Sequence, residues 1–131
     1  MLFATRKKHV LVIDDDLSLQ RILQFRLSQL HKFKVSLATS GLDGLELARQ
    51  QLPDLILLDW VLPDISGTDV LEQLKQTPST AGIAIVMLTG RNLLGDVEQA
   101  FALGADGYMT KPISMSKLSS KINTLLLQPA V

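Results

Sequence analysis

The chain has 131 residues, 47% of them hydrophobic, the size and composition of one domain with a continuous buried core. Its 13 basic and 13 acidic residues cancel, so bulk charge draws it neither to nucleic acid nor to a membrane surface, and any charge-driven function must be local. The absence of cysteine excludes disulfides, thiolate metal sites and thiol chemistry.

The opening MLFATRKKH places its basic residues after apolar ones and runs into no long apolar stretch, unlike a secretory signal. Residues 1–7 are expected to form a flexible amino terminus. Val10-Leu11-Val12-Ile13 is a short branched apolar block that ends abruptly at Asp14-Asp15-Asp16, the pattern of a fully buried strand. From 17 to 30 the apolar residues Leu19, Ile22, Leu23, Leu27 and Leu30 recur at threes and fours, which predicts a helix with one buried face. The alternation repeats: strand 33–38, helix 42–50, strand 55–58, helix 68–76, strand 84–88. A weaker helix spans 93–103 and contains Gly95. The turn Gly104-Ala105-Asp106-Gly107 leads into a short strand through Tyr108 and Met109. A last helix starts at Met115, its core stripe formed by Met115, Leu118, Ile122 and Leu125.

Five strands alternating with five helices predict right-handed crossovers and an α/β fold, a doubly wound parallel sheet covered on both faces. The longest apolar runs are far shorter than the roughly 20 residues needed to cross a bilayer, so a soluble protein is expected, with the cytoplasm allowed.

In open sheets of this kind, functional polar residues lie just past the carboxyl ends of the strands. Those positions hold Asp14-Asp15-Asp16 after the first strand, Asp59 after the third, Thr89 after the fourth and Lys111 after the fifth. Carboxylates crowded at one edge repel each other, and a divalent cation relieves the repulsion. An all-oxygen set without His or Cys suits a hard ion such as Mg2+. Asp14, Asp15 and Asp59 are the candidate ligands. Asp59 can also attack phosphorus with its second oxygen to give an acyl phosphate. Lys111 and Thr89 supply the charge and hydroxyl that phosphoryl transfer needs.

Val-Ile-Asp14-Asp15-Asp16, Leu-Leu-Asp59-Trp60-Val-Leu-Pro63-Asp-Ile-Ser-Gly67, Met-Leu-Thr89-Gly90 and Gly-Tyr108-Met-Thr-Lys111-Pro112 together resemble the receiver domain of two-component response regulators. The resemblance covers about residues 8–127, with a short tail at 128–131. The steps from Asp15 to Asp59, from Asp59 to Thr89 and from Thr89 to Lys111 are 44, 30 and 22 residues, similar to those of short chemotaxis-type receivers. It implies the flavodoxin-like strand order 2-1-3-4-5 and Asp59 as phosphoacceptor. It further implies Mg2+ (with Mn2+ able to substitute) held by Asp15, Asp59 and the Trp60 main-chain carbonyl, with Asp14 helping through water. Lys111 would contact the phosphoryl group, Thr89 would donate its hydroxyl and draw Tyr108 inward, and Pro112 would follow a cis peptide.

The implied partners are a histidine kinase or histidine phosphotransfer protein as donor, and a downstream protein docking on about residues 93–127. A second copy of the chain is a further candidate, and no direct contact with nucleic acid or membrane is expected. The chain would be a signalling phosphoacceptor, not an enzyme. Leu62 and Trp60 depart from the commonest family residues, and Val61 and Arg91 occupy positions that in the family tune phosphate lifetime.

Plainer readings exist for single residues. Asp16 reads as a helix cap, Gly67 and Gly90 as ordinary turn glycines, and His9 and His31 as surface residues. Phe25, Leu126 and Leu127 lie off the main stripes of their helices. Asp14-x-Asp16-x-Ser18 loosely resembles the nucleophile motif of haloacid-dehalogenase-like phosphatases, but no acid follows Lys111 to complete their metal site. A flavodoxin-like flavin site would put a phosphate against three acids. A receiver-like module that does not use phosphate would have no need of the full acidic set.

Overall fold

The computed structural model describes residues 7–90 and 94–126. Expectations on residues 1–6, on Arg91 and Leu93, on Leu127 and on the tail 128–131 therefore lie outside the described residues. The elements alternate as read from the sequence: β1 His9–Ile13, α1 Leu17–Leu30, β2 Lys34–Ala38, α2 Gly41–Gln51, β3 Leu55–Asp59, α3 Gly67–Gln76, β4 Ala84–Thr89, α4 Leu94–Ala102, β5 Gly107–Thr110 and α5 Met115–Leu126. The strands form one sheet in the order β2-β1-β3-β4-β5, every pair parallel.

Alternate side chains of the strands feed two cores. Leu11, Ile13, Ile56, Leu58, Ile85 and Met87 pack under Leu45 and Ala48 of α2, Val70, Leu71 and Leu74 of α3, and Ala100 of α4. Val10, Val12, Leu55, Leu57, Val86 and Leu88 pack on the other face under Leu23 and Leu27 of α1 and Leu118 and Ile122 of α5. A sheet buried on both faces explains why the strands read as continuous apolar runs and not as an alternation. In register, Ile13 lies beside Leu58 and Asp59 beside Leu88, so the ends of β1, β3 and β4 form one edge. No helix among the described residues is long and apolar enough to cross a membrane.

Three local expectations are corrected. Ile22 and Leu30 of α1 are more than half exposed, and the buried stripe is Gln20, Leu23 and Leu27. Apolar spacing alone could not place a glutamine in that stripe. His9 is buried at 4% exposure, because it is the first residue of the interior strand β1 and its Nε2 lies 2.8 Å from Ser36 Oγ on the edge strand β2. His31 is half-buried, stacked on Phe33 with ring centres 5.1 Å apart and hydrogen-bonded to Ser119 of α5.

Two helices start one residue earlier than their apolar pattern suggested, at Gly41 and Gly67, because Ser40 and Ser66 cap them by accepting from the Asp43 and Asp69 amides. Of the off-stripe residues, Phe25 is 64% exposed whereas Leu126 packs partly into the core.

Candidate functional site

The chain delivers its polar residues to the carboxyl edge of the sheet one strand at a time. Asp14 and Asp15 follow β1, Asp59 ends β3, Thr89 ends β4 and Lys111 follows β5. Asp14, Asp59 and Thr89 are buried, while Asp15 is exposed. The carboxylates of Asp14, Asp15 and Asp59 each offer an oxygen, all within 4.8 Å of one another. Lys111 Nζ lies 2.8 Å from Asp14 Oδ2 and 3.2 Å from Asp59 Oδ2, joining the first and third strands from beyond the fifth. Its main-chain amide donates to Thr89 O at 2.7 Å, tying the end of β5 to the end of β4. The following Lys111–Pro112 peptide is cis.

The electrostatics are tense. Burial and the Asp14 charge push the Asp59 carboxyl above its usual range, against the pull of the Lys111 ion pair and the Val61 amide. For Lys111, burial works against the charge, but bonding and attraction from Asp14 and Asp59 outweigh it and raise the ammonium's pKa. One ammonium thus serves two buried carboxylates with a third close by. The donor set is all carboxylate oxygen and its excess charge is negative, which fits a hard divalent cation. Trp60 O accepts from the Gly67 amide at 2.8 Å, a bond that occupies one of the two lone pairs a carbonyl oxygen carries.

Asp16 caps α1 as expected, accepting from the Leu19 amide at 3.1 Å, but it is no bystander. Its own amide donates to Asp14 Oδ1 at 2.9 Å and holds that buried carboxylate in place. Gly67 is not an ordinary turn glycine either: a Cβ there would stand 2.0 Å from Asp59 O, so the backbone of α3 presses directly on the strand that carries Asp59. Gly90 shows no such contact. Tyr108 packs edge-on, ring centres 6.5 Å apart, against Trp60, the residue that follows Asp59.

Two residues escaped the sequence reading. Asp64, in the loop between β3 and α3, accepts from the Gly41 and Leu42 amides at 2.8 and 2.9 Å and so fastens that loop to the start of α2. The Leu42 bond leads the interactions that lower its carboxyl below the usual range, despite some opposing desolvation. No local signal marks that pairing, since its partners are more than 20 residues away. Gln20 donates to Asp14 O and Ala38 O, both at 2.8 Å. Its signal was its place three residues before Leu23 and seven before Leu27, in register with the core stripe. A pocket of about 550 Å³ opens beside the site, lined by Asp16, Leu19, Ile22, Lys111, Pro112, Ile113 and Met115.

The family described as "Response regulator receiver domain" matches residues 10–123. The chain is 36% identical over 117 residues to the DNA-binding dual master transcriptional regulator RpaA of Synechocystis sp., a match spanning 89% of this chain and 48% of that protein. It is 32% identical to the phosphate regulon transcriptional regulatory protein PhoB of Rhizobium meliloti, across 89% of this chain and 51% of that one. The chain thus spans about half the length of these relatives. A crystal structure of a putative response regulator from Chloroflexus aurantiacus superposes with a TM-score of 0.87 at 28% identity, covering 94% of this chain and all of that one. A CheY-like response regulator receiver domain protein from Methanospirillum hungatei gives 0.84, also at 28% identity, covering 91% and 93% of the two chains.

Proposed function

Since the chain belongs to the response-regulator receiver family, we propose that it accepts a phosphoryl group on Asp59 and passes the event to a protein partner. The observation that carries this reading is the meeting of Asp14, Asp15 and Asp59 within 4.8 Å at one strand edge, with the Lys111 ammonium reaching two of them. Asp14 and Asp15, with Asp59 and the Trp60 carbonyl, would hold Mg2+. When bound, the ion neutralises charge on the carboxylates and on the transferring phosphoryl oxygens.

The residues of the chain account for the rest. An Asp59 carboxylate oxygen attacks the phosphorus of a phosphohistidine on a kinase or phosphotransfer protein. The new O–P bond forms as the P–N bond breaks, and the departing imidazole keeps the electron pair and takes a proton. Lys111 Nζ, 3.2 Å from Asp59 Oδ2, stands ready to meet a phosphoryl oxygen. Thr89, one residue beyond Leu88, the β4 partner of Asp59, and linked to Lys111 through its carbonyl, offers its hydroxyl to the same group. A movement of Thr89 would be felt at Tyr108, which lies beside Met87, two residues before Thr89 in β4, and packs edge-on against Trp60. The signal then leaves over α4, β5 and α5. The donor approaches from the side of the pocket between α1 and the segment after β5, which opens next to Lys111 and offers the exposed Ile22 as an apolar anchor.

Incubation with acetyl phosphate and Mg2+, followed by intact-mass measurement, tests the reading. One added phosphoryl group is expected in the wild type and none in Asp59→Asn. An unchanged wild-type mass, or equal labelling of the variant, would refute it.

A further inference from the structure

We infer that Gln20 is a positioning residue for the metal cradle, acting through the Asp14–Asp15 peptide; the inference rests on the metal-site reading above. Gln20 is the one polar member of the buried α1 stripe, at 4% exposure between helix and sheet. A primary amide has two N–H groups, and both of those of Gln20 are used. One meets Asp14 O and the other Ala38 O, each at 2.8 Å and each in a buried setting.

What these two carbonyls do decides the role. Ala38 ends β2, and its carbonyl also accepts from the Asp14 amide at 3.0 Å, the last rung joining β1 and β2. Asp14 lies one residue beyond β1, where the strand ladder no longer specifies the direction of the chain. Its carbonyl belongs to the peptide group that leads into Asp15. That group is planar and stiff, so fixing the oxygen also fixes the direction in which Asp15 leaves. Asp15 is exposed and has no protein wall to hold it, whereas Asp14 is clamped by the Asp16 amide and Lys111. The orientation of the exposed carboxylate therefore depends on a peptide plane, and Gln20 holds that plane from beneath.

A purely structural role would show itself in stability alone. A positioning role shows itself in cation affinity measured on folded protein. Isothermal titration calorimetry with MgCl2 on the whole chain, well below the melting temperature of every variant, separates the two. Gln20→Met keeps the length and apolar bulk and removes both donors, and its Mg2+ dissociation constant is expected to rise about tenfold. Gln20→Asn keeps the amide but is one methylene too short to reach both carbonyls, and it should fall between the two. It also decides the matter if Gln20→Met does not fold. Leu23→Ala opens a cavity in the same stripe and should lower the melting temperature while leaving the Mg2+ constant unchanged.

Wild-type affinity in both Gln20 variants, or an equal loss of affinity in Leu23→Ala, would overturn the inference. A wild type with no saturable Mg2+ binding would instead overturn the metal-site reading beneath it.

Discussion

Gly67→Ala is the sharpest steric probe of the site, because it adds a single methyl group where α3 presses on β3. The new Cβ would lie 2.0 Å from Asp59 O and 2.9 Å from both Asp59 C and Trp60 Cα. Backbone atoms cannot swing aside like a side chain end, so for the 2.0 Å contact to open to the ordinary 3.4 Å, α3 must retreat by about 1.4 Å. That retreat stretches the 2.8 Å bond from the Gly67 amide to Trp60 O. Overpacking of this kind costs about 1–3 kcal/mol, and a lost hydrogen bond about 1 kcal/mol. The gain in helix propensity from glycine to alanine returns up to about 1 kcal/mol, less at a first helical position.

The net loss is about 2 kcal/mol or more, a fall of roughly 6–8 °C in melting temperature for a domain of this size. Because the displaced atoms include Trp60 O, Mg2+ affinity should fall as well. Thermal unfolding by circular dichroism gives the first quantity and calorimetric titration the second. A variant melting within about 2 °C of wild type, with unaltered Mg2+ binding, would show that the contact is not the constraint argued for it.

The remaining predictions concern charge. Asp59 has a raised folded-state pKa, so the proton binds the folded chain more tightly than the unfolded one. Its contribution to stability is complete below the unfolded carboxylate pKa and disappears as pH rises through the folded value. In EDTA, Asp59→Asn should therefore melt above wild type at pH 7, and the advantage should shrink as pH falls toward 4; a constant gap would count against it. Asp64 has the opposite sign: its pKa is lowered, so its stabilisation is present at neutral pH and lost as pH falls through the folded value. Asp64→Ala should lower the melting temperature at pH 7 and converge with wild type in acid. Lys111→Ala removes a cation from among three carboxylates and should tighten Mg2+ binding several-fold, while phosphorylation no longer shifts the Tyr108 resonances. Weaker Mg2+ binding, or a wild-type shift at Tyr108, would contradict the role given to Lys111. Asp16→Ala removes the α1 cap and should cost about 1 kcal/mol in urea denaturation.

How much of this was legible in the sequence follows from the range of the interactions. The sheet and its order of elements were legible because burial on both faces leaves only apolar residues in a central strand, and the runs at Val10, Leu55 and Ile85 show it directly. The acids at strand ends were legible for the complementary reason that nothing apolar competes there. The residues that escaped work across the chain through main-chain atoms. Asp64 caps a helix that begins 23 residues earlier. Gln20 bonds a carbonyl 18 residues away, and the constraint on Gly67 comes from a backbone oxygen in another element. Side-chain chemistry has a pattern in sequence, whereas main-chain proximity has none. Ile22 and Leu30 failed for a related reason: their spacing fits a helical face, but α1 is turned so that Leu23, Leu27 and Gln20 face the sheet and Gln20 reaches its two carbonyls.

That rotation links stability to chemistry. Burying an amide in a helix stripe is unfavourable unless both its donors are met, and here they are met only if α1 lies in one orientation over the ends of β1 and β2. The same orientation puts the Asp16 amide on Asp14 and leaves Ile22 lining the pocket beside Lys111. At the centre stands Asp59, whose environment disfavours its own charge. A site of this kind is held together by bonds to the surrounding backbone and not by its own members, whose repulsion a bound cation would relieve. Anything that binds the folded chain alone raises its stability in proportion to the logarithm of its concentration over its dissociation constant. Mg2+ should therefore raise the melting temperature of the wild type and lose that effect in Asp59→Asn. The reverse order would mean that the carboxylates are balanced without a cation.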